Sequence, residues 1–450
     1  MRGLRSTIAL LVVLAGLGAY IYFVTWKLPD EDAKKEEQVF ATLEAEKIEA
    51  LQVKSEKGET TTLTKTAGAW QITAPEVVKP DESEVSAVTS GLASVERGRI
   101  IEEDPAKLED YGLAPPRIDV AFKVAGETEY RHLLIGDKTA TGGDLFAKLG
   151  NEKKVFLIPA YQETTFNKGL IDLRDKTFLV FDHDRLDSIE VTAGGKTFVL
   201  VKSGPDWNVT KPIQVRADGS AVQGLRARLE TAQLKSIVTT NATPDDLKKY
   251  GLDKPFRTVT LNFGGRATLQ LGGTAEDGTI YAREASKPTV VTVDSTLADD
   301  VTKSVDEYRR KDIFDFRPFN ATRIEFIRAN GAALPFEKVK GEAKDGKEPE
   351  DKWRRLGPNP ADAAKETMDA LLSRLSNMRA ESFAEATAST GLNRPELIVV
   401  VKFGEGKQER VRFGRVDSNV FAARQDEPDA AKMNATDYSE AFQSLLELSK

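Results

Sequence analysis

Three short landmarks recur in the same order three times along the chain, and this repetition constrains the fold more than any other feature. The first is a tryptophan followed five residues later by a proline, at Trp70 and Pro75, Trp207 and Pro212, and Trp353 and Pro358. The second is Gly-Leu-x-x-Pro, beginning at Gly112, Gly251 and Gly391. The third is a glycine that closes a predicted strand before an aromatic-alanine pair, at Gly136, Gly272 and Gly414. Ordered recurrence of this kind predicts three copies of one unit.

The spacing of the landmarks supports the repeat and suggests its boundaries. Each tryptophan lies 15 residues before the first apolar position of a helical stripe. The leucine of the second landmark lies 23, 20 and 22 residues before the strand-closing glycine. We therefore predict repeat 1 at residues 47–176, repeat 2 at 177–312 and repeat 3 at 313–450, which agrees with roughly 150 residues per domain.

Each repeat has the pattern of a strand-rich unit with one main helix. Alternating and β-branched residues predict an opening strand in every copy, at 48–53, 189–191 and 324–327. Apolar residues at i, i+3, i+7 and i+10 from Val85, and again from Val222, predict one face of a helix. The predicted fold class is α+β, with three repeated units that each combine a mainly antiparallel sheet and one main helix.

The Gly-Leu-x-x-Pro landmark has a local physical explanation. In repeats 1 and 2 a short predicted helix, at 105–111 and 244–250, runs into the glycine, which can adopt the positive φ that ends a helix. Repeat 3 departs from this pattern because Thr390 replaces the tyrosine that precedes the glycine elsewhere. Repeat 3 also carries a charged insert at about 338–352, predicted to be a solvated loop, and a terminal amphipathic helix at 438–448.

The N-terminus has the pattern of a membrane anchor. Residues 7–26 form a 20-residue run without charge, long enough to span about 30 Å of hydrocarbon. Arg2 and Arg5 precede it and an acidic stretch follows at 30–32, so the positive-inside rule places the body outside the cytoplasm. We predict a transmembrane anchor at 1–29 and a charged, solvated spacer at 30–46. A signal peptide cleaved near the small residues 15–19 is the alternative.

Composition narrows the possible chemistry. The chain has no cysteine and two histidines, His132 and His183, which excludes thiolate sites and histidine-rich metal sites. The pairs Gly194-Gly195, Gly264-Gly265 and Gly272-Gly273 lack the spacing of phosphate-binding loops and are predicted hairpin turns. The net charge of −7 argues against nucleic acid as a partner. We assign no catalytic, cofactor-binding or metal-binding residues.

Several residues admit both a structural and a functional interpretation. The three tryptophans could stack on a ligand, but their repeated positions favour packing in each unit's core. His183 lies between two aspartates, which favours a polar turn over a metal site. The basic segment Arg309-Arg310-Lys311 could contact an acidic partner, although an inter-repeat ion-pair network is the preferred interpretation. Asn208 and Asn320 begin Asn-x-Thr acceptor patterns for glycosylation, which are common by chance.

The anchor and the motifs Trp…Pro, Tyr-Gly-Leu-x-x-Pro and Leu-Arg-Asp-Lys (173–176) together resemble the bacterial domain-of-unknown-function 4340 family from about residue 45 onward. Members of that family are often encoded beside an ABC transporter of the gliding-motility type. The resemblance implies an envelope accessory component of such a system. Together with the predicted anchor, the repeated body and the lack of a catalytic motif, it leads us to expect a single-pass inner-membrane protein with a periplasmic body, a non-enzymatic accessory or scaffold that works with the transporter's permease and ATPase subunits. Two alternatives stay open: a stand-alone binding protein for an envelope glycan or lipid, with an apolar or aromatic groove between units, and an enzyme with buried carboxylates at a unit interface.

Overall fold

The computed structural model describes residues 37–340 and 351–449. The predicted anchor at 1–29 and the first part of the spacer lie outside these residues. Among the described residues, no helix is long and apolar enough to cross a membrane. The chain divides into two compact units, with the boundary between Lys176 and Thr177. The first unit contains repeat 1 and the second, called here the C-terminal unit, contains repeats 2 and 3.

Strands dominate the secondary structure of every repeat. Up to residue 176 the strands are β1 Glu37–Gln38, β2 Ile48–Lys54, β3 Thr60–Thr66, β4 Ala69–Ala74, β5 Glu96–Arg97, β6 Ile100–Glu102, β7 Ile118–Val124, β8 Arg131–Lys138, β9 Asp144–Leu149 and β10 Val155–Pro159. Repeat 2 contains β11 Ser188–Ala193, β12 Lys196–Ser203, β13 Asp206–Lys211, β14 Val215–Arg216, β15 Leu234–Thr239, β16 Arg257–Asn262, β17 Arg266–Thr274, β18 Ile280–Glu284 and β19 Val290–Val293. Repeat 3 contains β20 Ala321–Arg328, β21 Ala333–Lys340, β22 Asp351–Arg355, β23 Ala361–Asp362, β24 Ala380–Glu385, β25 Leu397–Phe403, β26 Lys407–Val416, β27 Asn419–Arg424 and β28 Asp429–Met433.

One main helix per repeat follows the opening strands. These main helices are Glu82–Ser94, Gly219–Glu230 and Lys365–Ser376. The shorter α-helices are Gln162–Phe166, Leu170–Leu173, Pro244–Lys249 and Ser295–Asp300, and a longer one, Ala435–Leu448, ends the described chain. Single 3-10 turns occur at Ala45–Lys47, Glu109–Tyr111, Val305–Tyr308 and Ala388–Thr390. The predicted helix at 105–111 is therefore reduced to its last turn.

Besides a two-stranded sheet of β1 and β5, the described residues form three large sheets that share one antiparallel topology. Within the described residues their strand orders are β4-β3-β2-β7-β8-β9-β10-β6, then β14-β13-β12-β11-β16-β17-β18-β19-β15, then β23-β22-β21-β20-β25-β26-β27-β28-β24. The opening strand of each repeat lies mid-sheet, between its hairpin partner and the strand after Gly-Leu-x-x-Pro. A strand that follows the main helix lies at the far edge of each large sheet: β6 in repeat 1, β15 in repeat 2 and β24 in repeat 3. The predicted α+β fold with repeated antiparallel units is confirmed.

The second and third landmarks contact each other, which explains why they recur together. Gly251 adopts φ +70°, which ends the preceding helix and turns the carbonyl of Tyr250 towards strand β17. A β-carbon on Gly272 would lie 2.2 Å from that carbonyl oxygen, so only glycine fits. The equivalent distances in the other copies are 2.0 Å at Gly136 and 2.5 Å at Gly414. Gly272-Gly273 thus lies within a strand, and its predicted hairpin turn is wrong, whereas Gly194-Gly195 does connect two strands.

Two segments that are predicted to be solvated are only partly exposed to solvent. Val39 and Phe40, assigned to the spacer at 30–46, are buried and pack in the core of repeat 1, where the Phe40 ring meets Phe122 edge-on. Burial of apolar side chains is favourable, so these two residues pack in the core although the rest of the stretch is charged. The ends of the predicted insert at 338–352 extend strands β21 and β22, and residues 341–350 lie outside the described chain.

Candidate binding cleft

The segment that joins repeat 2 to repeat 3 is hydrogen-bonded to both repeats. On one side, the Arg310 amide donates to the Arg216 carbonyl at 3.0 Å. On the other, the Lys311 carbonyl accepts from the Ala380 amide at 2.7 Å, and the Ile313 amide donates to Met378 at 3.0 Å. The segment therefore acts as an extra extended strand between the two repeats and fixes where its charged side chains lie.

The contact between repeats 2 and 3 at residues 310–313 is called the joint. Arg216 is the centre of an ion-pair network across this joint. Its Nε donates to Glu427 Oε1 at 2.7 Å and its Nη1 to Asp315 Oδ1 at 2.6 Å. Its Nη2 donates to the carbonyl of Asp312 at 2.8 Å. Arg310 pairs with the same Asp315 oxygen at 3.0 Å and with Asp312 at 3.3 Å. One arginine of repeat 2 thus holds groups that are far apart in repeat 3.

The buried part of the network is the pair Arg424–Glu409. Their side chains are 7% and 3% exposed, and Arg424 Nη1 lies 2.8 Å from Glu409 Oε2. Glu409 also accepts from the amides of Asp315 and Phe316, at 2.9 and 3.0 Å. Arg424 additionally pairs with Asp315 at 3.1 Å and with Asp426 at 3.0 Å. A carboxylate with this many donors satisfies the requirement for keeping a charge inside a protein.

The pKa shifts follow from these contacts. Burial opposes the charged form of Arg424, but its hydrogen bond to Asp426 and the charge of Asp315 raise the pKa above its usual value. Partial desolvation favours the neutral acid at Asp426, whose side chain is 60% exposed, yet the hydrogen bond and charge of Arg424 lower the pKa of Asp426. A carboxylate held ionised in this way serves as an ion-pair partner and is a poor proton donor near neutral pH.

Arg309 completes the joint and decides between the two interpretations of the basic segment. It is buried, its Nη1 pairs with Asp429 at 2.9 Å, and its guanidinium lies 3.6 Å from the centre of the Phe383 ring. Contacts of Arg309 and Arg310 with repeat 3 confirm the predicted inter-repeat ion-pair network. Sequence reasoning missed the partners Asp315, Glu409 and Arg424, because single charged residues in separate strands carry no local motif.

Beside the joint lies an open cleft of about 570 Å³ between repeats 2 and 3. The cleft lies within the C-terminal unit, and its lining residues are Ser203, Asp206, Trp207, Asn208, Arg216, Ala217, Arg310, Asp315, Asn320, Phe403, Gly404, Glu405 and Lys407. Both asparagines of the acceptor patterns are among them. Phe319, next to Asn320, has 81% of its surface exposed, which is unusual for phenylalanine.

The three tryptophans do not share one environment. Trp353 is buried in the core of repeat 3, and Trp70 is half-buried against the core of repeat 1, which confirms core packing at these positions. Trp207 is half-buried and lines the cleft. Core packing is thus an incomplete description of Trp207, because this residue also lines an open cleft.

The side chains of both histidines lie beside carboxylates of the protein. His132 lies in strand β8 with Nδ1 2.9 Å from Asp119 Oδ1. His183 lies in a turn held by the Asp182 side chain, which accepts from two backbone amides, and its Nδ1 is 3.2 Å from Glu230. The predicted polar turn at His183 is confirmed. Within the described ranges, no group of three or more His, Cys, Asp or Glu side chains could hold a metal ion.

A larger surface cleft of about 1150 Å³ lies in repeat 1, beside His132. Its tyrosine, Tyr130, has the Lys123 ammonium 4.5 Å from the ring centre. That aromatic face is occupied by the protein's own cation, and the cleft between repeats 2 and 3 is therefore the better candidate for a binding site.

Comparison with known proteins identifies a family and little else. The sequence profile of the family described as "Domain of unknown function (DUF4340)" matches residues 70–208 and 207–395. The first match runs from the tryptophan of repeat 1 to that of repeat 2, so the profile is offset from the structural repeat by the opening hairpin. No curated protein matches the chain.

Among solved structures, the chain is similar to the DNA polymerase III subunit beta from Pseudomonas aeruginosa. The two share 10% identity, over 87% of this chain and 93% of that chain. The TM-score of 0.14 is too low for this similarity to support any argument about fold or function.

Proposed function

Because the chain belongs to the DUF4340 family, we propose that it is a non-enzymatic accessory or scaffold subunit of an ABC-transporter-linked system of the bacterial envelope. In this proposal, residues 1–29 anchor it in the inner membrane and the repeats lie in the periplasm. The permease and ATPase of the transporter are the expected partners.

The observation that carries the proposal is the joint between repeats 2 and 3. Arg216 and Arg309 of repeat 2 pair with carboxylates of repeat 3 across this joint, and Arg424, within repeat 3, pairs with the same Asp315 as Arg216. The pairs of Arg216 and Arg309 hold repeats 2 and 3 together, and repeats joined in this way present the extended surface typical of proteins that bind other macromolecules. The uncharged run and its flanking charges support the membrane anchor.

The partners can be identified by purification from the native host. After mild crosslinking, the full-length tagged chain is purified in gentle detergent and its partners are identified by mass spectrometry. We expect an ATPase and a permease to be recovered, and to be lost when residues 1–30 are replaced by a cleavable signal. Recovery of the chain alone from crosslinked cells would contradict the proposal.

The location of the body can be tested independently, because the natural chain has no cysteine. Ser220→Cys places a single thiol at an exposed position of the repeat 2 main helix. A membrane-impermeant maleimide should label this variant in intact spheroplasts as fully as after lysis. Labelling that requires lysis would place the body in the cytoplasm and contradict the proposed topology.

A further inference from the structure

Trp207 differs from its counterparts in the other repeats. In repeat 1 the Lys65 ammonium lies 5.9 Å from the centre of the Trp70 ring, and in repeat 3 Lys338 lies 5.7 Å from that of Trp353. Lys202 holds the corresponding register position opposite Trp207. In the described part of the chain no cation lies over the Trp207 ring. Trp207 therefore lines the cleft without an internal cation over its ring.

The charges around the cleft balance. Arg216 uses all its nitrogens on Glu427, Asp315 and a backbone carbonyl. Arg310 is likewise paired with Asp312 and Asp315, so neither guanidinium is free to neutralise an anion. The remaining charged side chains of the lining are Lys407, Asp206 and Glu405. Phosphate polymers, which need uncompensated cations, are a poor fit for this surface.

The polar groups of the cleft include both donors and acceptors. Asn320 accepts the Arg317 amide through its Oδ1 at 2.8 Å, which leaves its amide NH₂ to donate. Asn208 offers a second side-chain amide, and Asp206 offers a carboxylate acceptor. A ligand that satisfies such a rim must donate and accept around its edge while presenting an apolar face to Trp207.

From these features we infer that the cleft between repeats 2 and 3 binds a neutral oligosaccharide, with one sugar ring against Trp207. A pyranose ring has a face of C–H groups that packs on an aromatic ring, and hydroxyls at its edge that both donate and accept. The volume of about 570 Å³ lies within the usual range of roughly 300–1,000 Å³ for ligand sites. This inference goes beyond the transporter-subunit proposal and does not depend on it.

Fluorine NMR of the full-length protein labelled with 5-fluorotryptophan tests the inference. A detergent without sugar headgroups is required, since maltoside headgroups would compete. Trp207→Phe assigns the Trp207 resonance, and chitohexaose and cellohexaose serve as neutral probes. We expect at least one of them to shift this resonance saturably while the Trp70 resonance stays in place. Absence of a saturable shift with both probes up to about 10 mM, a concentration roughly ten times a dissociation constant of 1 mM, would overturn the inference.

Variants and a charged probe separate stacking on Trp207 from other modes of binding. Measured by calorimetry, Trp207→Ala should weaken binding at least about tenfold, as truncating a central aromatic anchor does. Trp207→Phe should retain most of the affinity, and Trp70→Phe, the matched control in repeat 1, should leave affinity unchanged. Unchanged circular dichroism would show that Trp207→Ala still folds. Tighter binding of hexagalacturonate than of both neutral probes, or equal affinity of Trp207→Ala and the natural chain, would overturn the inference.

Discussion

Replacing Arg424 with methionine should destabilise the C-terminal unit by about 3 kcal/mol, because removing one partner of a buried ion pair leaves the other charge uncompensated. Glu409, 3% exposed, would keep its two backbone donors and lose its only arginine contact among the described residues. Asp315 and Asp426 would lose a shared counter-ion as well. Urea denaturation of the full-length chain measures the change in the free energy of unfolding.

The matched control for this substitution is Arg354→Met in the same repeat. Arg354 is half-exposed and lies 3.7 Å from Asp362, so its loss should cost no more than about 1 kcal/mol, as for other surface pairs. Combining Arg424→Met with Glu409→Gln removes both charges and should cost less than the sum of the two single substitutions. Equal costs for Arg424→Met and Arg354→Met would show that the buried Arg424–Glu409 pair does not stabilise the unit.

Substituting Gly272 with alanine should cost about 2–3 kcal/mol, through a steric clash in a packed interior. The added β-carbon would lie 2.2 Å from the Tyr250 oxygen and 3.0 Å from a side-chain atom of Leu252. Because that oxygen belongs to the backbone, relief requires strand β17 or the Tyr250 turn to move. The loss should appear as a lower midpoint of urea unfolding.

Gly273→Ala is the control for this prediction, one residue away in the same strand. Its β-carbon would lie 3.7 Å from the same oxygen, an ordinary contact. Both substitutions reduce the freedom of the unfolded chain equally, so the difference between them reports the clash alone. A difference below about 0.5 kcal/mol, the usual size of a neutral substitution, would contradict the steric account of the third landmark.

The sequence contains enough local information to predict the repeated units but not their joint. Strand alternation and the stripe from Val85 depend on neighbouring residues, so they are visible in the pattern. The contact between Gly272 and Tyr250 links two landmarks whose spacing is regular, although its steric cause appears only in three dimensions. The need to end the preceding helix predicts a positive φ at Gly251, and Gly251 has that conformation.

The sequence suggests a groove between units only as one alternative, and the residues that line and fix the cleft could not be predicted for a physical reason. Arg216 and Glu427 are 211 residues apart, and no period or motif connects them. Trp207 carries the same landmark as Trp70 and Trp353, yet its surroundings depend on the neighbouring repeat. The sequence does predict that the basic segment at 309–311 forms ion pairs between repeats, because uncompensated buried cations are costly.

The cleft and its extended surface exist only if the joint is fixed, so both require repeats 2 and 3 to form one rigid body. Ser220→Cys and Ser373→Cys place spin labels at exposed positions on the main helices of the two repeats, in a chain without native cysteine. Double electron–electron resonance then measures the distance between the labels. We predict a single narrow distance distribution that broadens when Arg216→Met, which removes the pairs with Asp315 and Glu427 across the joint, is added. A broad or multimodal distribution in the otherwise natural chain would contradict the fixed joint and, with it, the cleft.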